Sequence, residues 1–214
     1  MLPTEHLLAF MLIATVLIVV PGPSVLFVIT RSLTLGPRAG IATAIGNSAG
    51  VYVQVLLVAV GVGAIVQESI AVFTAIKLAG AAYLVFLGVQ AFRRRRSLVD
   101  ALYVPVAPKL LRRMLADAFL VGVANPKVIV FFIAVLPQFV DRSAGSVALQ
   151  LLTLGAVFCT IAVLCDAIWA LAAGAARNWL VRSPRRLAAI GATGGLVMVG
   201  LGAGLAASGN AGDR

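Results

Sequence analysis

Apolar residues run along this chain in six long stretches, at about 7–30, 39–66, 70–92, 115–137, 146–175 and 187–207, with only short polar connections between them. Each stretch is long enough to cross a hydrocarbon core about 30 Å thick as a helix. Composition agrees: of 214 residues, 62% are hydrophobic and 11% charged, and the mean hydropathy is +1.09. A soluble domain carries about 25% charged residues, so lipid is the expected solvent. Six spans leave no room for a sizeable soluble domain. The predicted fold is therefore all-α, six transmembrane helices in a single membrane domain covering 1–214.

Charge sets the orientation. Taken alternately, the connections on one side hold Arg31 and Arg38, then Arg93–Arg96, Lys109, Arg112 and Arg113, then Arg177, Arg182, Arg185 and Arg186. The other side holds Arg142 and Arg214. The basic side is the cytoplasmic one by the positive-inside rule, which puts both termini on the opposite face. The net charge of +10 is thus a topology signal, and nucleic acid is not an expected partner. The first apolar run has no basic residue before it and no small-residue cleavage pattern after it, so it reads as a retained span and not a signal peptide. Cys159 and Cys165 share one apolar run six residues apart, a spacing that suits packing and neither a disulfide nor a metal site. No cofactor is expected.

Three spans per half make any repeat an inverted one, because the second half enters from the opposite face. Repeat 1 would cover about 1–92, a cytoplasmic basic loop about 93–114, and repeat 2 about 115–207. Faint traces support this. Ala39-Gly40 and Gly50 precede Ala144-Gly145 and Gly155 by 105 positions, and Ile76, Gly80 and Gly88 precede Ile190, Gly194 and Gly202 by 114.

Two runs are interrupted at matching places. The first contains Pro21-Gly22-Pro23 and the fourth contains Ala124-Asn125-Pro126-Lys127. Proline removes a backbone donor and clashes with the preceding turn, and the residue before it leaves helical geometry. Asn followed by Pro is also the signature of a helix start, with Gly22-Pro23 a poorer version. Each run therefore reads as two half-helices. Opened backbone within a bilayer needs protein or a wet cavity around it, and a half-helix N-terminus turned into such a cavity attracts a carboxylate.

Lys77, Lys127 and Asp166 lie inside predicted spans, at about 2.5–3.5 kcal/mol each for a helix centre. They form either a transport pathway or a structural pair of Asp166 with one of the lysines, and a pair that breaks on protonation is also a switch. Asn47, Tyr52 and Gln54 add polar groups to the second span. Asp117 sits near the cytoplasmic start of the fourth, where a carboxylate suits a helix N-terminus. The glycine pairs Gly46–Gly50, Gly191–Gly195 and Gly200–Gly204 suit close helix approach within or between subunits, which leaves a homo-oligomer open. Two rival classes are weaker. An intramembrane hydrolase would need Ser24 activated by Lys127 or Lys77, without a recognisable nucleophile turn. A metal-cation exporter would need clustered ligands where the spans offer Asp166 and scattered cysteines.

The stretches PGPSVLFVITRSLTLGPRAG, IKLAGAAYLVFLGVQAF and ANPKVIVFFIAVLPQFV, with Asp166 in the fifth span and a glycine-rich sixth, resemble the lysine exporter / homoserine–threonine resistance (LysE/RhtB) family over nearly the whole chain. The resemblance implies a bacterial inner-membrane exporter that moves amino acids or close derivatives outward with the proton motive force. Its motif positions here are Pro21, Gly22, Pro23, Asn125, Pro126 and Lys127, with Lys77 and Asp166 as membrane charges. Ser24 stands where Asn often follows the PGP, and Gln54 where many members have His. Both differences bear on substrate identity. The mechanism expected from the breaks places the substrate carboxylate against the half-helix starts at Pro23 and Pro126 with help from Lys127. Asp166 takes the amino group or the coupling proton.

Overall fold

The computed structural model describes residues 4–65, 70–96, 99–100 and 110–207. Among these, the helices are α1 (Thr4–Val19), α2 (Pro23–Leu35), α3 (Pro37–Ile65), α4 (Ile70–Arg93), α5 (Leu111–Val123), α6 (Pro126–Ala134), α7 (Val147–Ala175), α8 (Arg177–Val181) and α9 (Pro184–Ala207). Proline opens α2, α3, α6 and α9, where its missing N–H is one that a first turn leaves unpaired anyway. Gly36 alone joins α2 to α3, at a φ of 93° that side chains resist.

The first and fourth apolar runs are broken as the prolines predict. The axis turns by 52° between α1 and α2, and by 45° between α5 and the segment Pro126–Phe139. Among the described residues α3, α7 and α9 can each cross a membrane by length and composition, and counting each bent pair as one span brings the candidates to as many as five. Helix α4 runs 24 residues, Ile70–Arg93, and Leu78–Arg93 is its apolar stretch among the described side chains.

Helix α3 packs along both α5 and α7, while α4 packs along α9. These crossings are close because glycines face backbone. A β-carbon on Gly50 would strike the carbonyl of Phe119, one on Gly122 the carbonyl of Asn47, and one on Gly88 the carbonyl of Gly195. Without a hydrophobic force between helices in lipid, such backbone approach is what supplies the dispersion contact. The main apolar core gathers Phe10, Phe131, Phe132 and Phe158 with Leu17, Leu136, Leu151 and Leu154, all nearly fully buried, from α1, α6, α7 and the turn after α6. It lies directly against the two breaks. Lys77 lies on α4, and its side chain is outside the described residues.

Candidate functional site: two helix breaks around a buried cavity

The two breaks meet. Asn125 occupies the N-cap of α6, and its side-chain oxygen accepts from the Lys127 backbone N–H at 3.1 Å. Its amide nitrogen donates to Ser24 Oγ at 2.6 Å, and Ser24 Oγ donates in turn to Asn47 Oδ1 at 2.8 Å. A chain of three buried polar side chains thus links the start of α6, the start of α2 and the middle of α3. At α2 the N-cap residue is Gly22, which lends no side-chain hydrogen bond.

Each upstream half-helix ends on carbonyls that have lost their partners, and each is met by a buried donor from elsewhere. The Lys127 ammonium donates to the carbonyls of Leu17 at 2.7 Å and Val20 at 2.9 Å, closing the end of α1. Gln54 Nε2 donates to the carbonyls of Gly122 at 2.7 Å and Val123 at 2.9 Å, closing the end of α5. A cation at a helix C-terminus also meets the negative end of the dipole. The Gln54 side-chain oxygen is buried and has no hydrogen-bond partner.

Around these groups lies a cavity of about 30 Å3, lined by Gly22, Ser24, Asn47, Asn125, Lys127 and Asp166 on its polar side and by Ile18, Val51, Val128 and Phe158 on its apolar side. It has room for water but not for an amino acid. Asp166, 2% exposed, comes from α7. It stands too far from Lys127 for a direct ion pair, although the two act on each other electrostatically.

The sequence-predicted residues are therefore largely assembled in one place. Gly22, Ser24, Asn125, Lys127 and Asp166 line the cavity, and Pro21 is buried beside it with its carbonyl against Gly194 of α9. Pro23 and Pro126 form the first positions of α2 and α6. Gln54 is not among the lining residues; it holds the end of α5 instead. Asn47, which sequence reading noted only as a polar residue of its span, belongs to the site. It lies seven positions before Gln54, two helical turns along the same face of α3, and that spacing was the available signal.

Ser24 is bonded to two asparagines and the Lys127 ammonium to two backbone carbonyls, so the serine–lysine pairing that a hydrolase would need is not formed. Among the described residues no group of three potential metal ligands occurs.

Asp117 also departs from its sequence reading. It lies beyond the first turn of α5 and pairs with Arg31 of α2 at 3.2 Å, where the Arg31 guanidinium also rests 4.9 Å over the Phe27 ring. On the same stretch of α2, Ser32 Oγ donates to the carbonyl of Ala170, and Arg177 Nε donates to that of Leu33 at 2.6 Å.

Interrupted helices that bring buried polar and charged side chains to a shared cavity define a multi-pass membrane protein of the transporter kind. The chain matches the LysE type translocator family model over residues 15–209, and it belongs to that family. It is 36% identical over 197 residues to an uncharacterised membrane protein of Vibrio cholerae, a match covering 91% of this chain and 93% of that protein. It is 30% identical over 204 residues to the homoserine/homoserine lactone efflux protein of Salmonella typhimurium, covering 95% and 97%. An uncharacterised membrane protein of Bacillus subtilis is 29% identical over 208 residues, covering 92% and 97%. No solved structure matches.

Proposed function

We propose that this chain is a secondary exporter of amino acids or close derivatives, with its substrate site at the cavity between the two breaks. The observation that carries the reading is the pairing of an α2 start without a side-chain cap with the buried carboxylate of Asp166 across one cavity. The efflux role named for the Salmonella relative supports the substrate class. A zwitterion has one group for each end. Its carboxylate meets the first-turn N–H groups at Ser24 and Val25, and its ammonium meets Asp166. The start of α6 is already capped by Asn125, so the first break carries more of the carboxylate binding than the second. Lys127, committed to the end of α1, contributes its charge at short range more than a free contact.

The transport cycle follows from an inverted repeat of three spans per half, six in all, with α4 as the third. The contacts support such a repeat. Gly88 faces Gly195 and Val199, while Gly202 faces Ala81 and Val85. Positions 81, 85 and 88 become 195, 199 and 202 on adding the offset of 114 seen in the sequence, so the two contacts are one contact repeated. Likewise α1 on α7 mirrors α3 on α5, and α2 on α7 mirrors α3 on α6. With the arginine-rich end in the cytoplasm of a bacterial inner membrane and both termini outside, the halves rock about the cavity to open it to each face in turn. Asp166 carries the coupling proton inward. One proton moving down about 100 mV supplies about 2.3 kcal/mol, enough for about a fifty-fold outward gradient of a zwitterion.

Cells expressing the chain and loaded with mixed dipeptides should release certain amino acids faster than cells without it. Equal release across all amino acids rejects the reading. Asp166→Asn, correctly inserted, should lose the response of efflux to the proton gradient; a normal rate with that response retained removes the coupling role.

A further inference from the structure

The arginines that set the orientation do not all point into solvent at random. The turn that follows α4, residues Val99 and Asp100, and the turn from α8 into α9 line an open cavity of about 840 Å3. Arg95 and Arg96 line it from one side and Arg182 and Arg185 from the other, with Asp100 as the carboxylate at its wall. Among the described residues none of these four arginines forms an ion pair. Arg95 is held in place, its guanidinium 5.0 Å from the Phe92 ring and donating to the Phe92 carbonyl at 3.2 Å.

The rest of the cavity is built differently from an open basic surface. Its α9 wall carries Ala188, Ala189 and Ala192, small apolar residues one and two turns below the arginines. On the neighbouring rim Arg186 stacks 3.9 Å over Trp179 and donates to its carbonyl at 2.8 Å. Trp179 is 57% exposed, the situation of an indole anchored at the level of lipid headgroups.

The positive-inside rule accounts for the side on which these charges lie. It does not account for two runs more than eighty residues apart converging on one cavity. Four unpaired guanidiniums brought together repel one another, and the arrangement is stabilised by an anion that accepts from several of them. Planar guanidinium forks match phosphate oxygens. An apolar floor adds nothing for a free anion, but it suits the glycerol and first acyl carbons attached to a phosphate. Basic pockets between spanning helices recognise anionic lipids in this way.

We propose that this cavity is a binding site for the phosphate headgroup of an anionic phospholipid. The inference rests on the placement of these arginines and not on the substrate of the transport site. The test is thermal melting of the purified protein in micelles titrated with phosphatidylglycerol, phosphatidylcholine or inorganic phosphate. Phosphatidylglycerol should raise the melting temperature, and the other two should not. In Arg182→Gln/Arg185→Gln the concentration of phosphatidylglycerol for half the effect should rise at least about tenfold, while Arg112→Gln/Arg113→Gln, the same loss of charge elsewhere, should leave it unchanged. Arg182→Lys/Arg185→Lys, which keeps the charge and removes the forks, should fall between and guards against a variant that fails to fold. An equal shift from inorganic phosphate would assign the cavity to a free anion. Equal losses in the two glutamine doubles would reduce it to diffuse charge, and no shift with phosphatidylglycerol would remove the site.

Discussion

The side chain of Lys127 lies across Gly22, so close that a β-carbon there would stand 3.1 Å from its Cδ and 3.2 Å from its Nζ. The glycine of the first break makes room for the lysine of the second, and that lysine then closes the end of α1. Gly22→Ala should therefore displace an ammonium held by two carbonyls and destabilise the protein by about 1–3 kcal/mol, the range for overpacking a tight site. Gly200→Ala, where a β-carbon meets open space, should leave the melting temperature unchanged or slightly raised. Thermal melting of the two variants checks the contrast.

Removing the lysine itself should do more. Lys127→Met leaves the Leu17 and Val20 carbonyls buried without a donor, at about 1–3 kcal/mol for each unsatisfied group. The melting temperature should fall substantially, and efflux should fall through loss of maximal rate as well as through substrate affinity. A Lys127→Met protein of normal stability, with only the half-saturating substrate concentration raised, would make the lysine a substrate ligand alone.

Gln54 offers the milder version of the same test. Gln54→Leu strips the donor from the Gly122 and Val123 carbonyls and should destabilise by about 1–3 kcal/mol. Gln54→His, the residue that many LysE/RhtB proteins resemble one another in having at this place, keeps a ring N–H and removes the unpartnered side-chain oxygen. It should be as stable as the parent or more so. A histidine variant as weak as the leucine one would dismiss the capping role.

The Arg31–Asp117 pair ties α2 to α5 at the arginine-rich end of the bundle, so it should hold that end shut. Arg31→Asp and Asp117→Arg should each impair efflux by placing like charges together, and the double exchange should recover much of it. Efflux of the three variants, compared at equal membrane content, reads this directly. Failure of the exchange to recover any activity would show that the pair is not the operative contact.

The breaks were legible in the sequence because proline acts locally: Pro23 and Pro126 forbid helical hydrogen bonds wherever the chain puts them. What capped the broken ends was not legible. Lys127 reads in the sequence as a membrane charge at the break, but its partners, two main-chain carbonyls at the end of α1, carry no side-chain signature and lie more than a hundred residues away. The same holds for Gln54 and the end of α5. Arg31 and Asp117 were both visible as charges near one side, but their pairing depends on α2 crossing α5, and hydropathy does not encode crossings. The repeat offset of 114 was faint in the letters.

The narrowness of the cavity has one more consequence. A membrane that stores a proton gradient must resist leakage through every protein embedded in it. Here the space at the two breaks holds water at most, and Phe131, Phe132 and Phe158 are packed next to it with almost no exposure. The apolar wall these rings form leaves no room on that side for a file of water molecules, so a proton wire cannot run through it. On that side this conformation insulates as the surrounding hydrocarbon does.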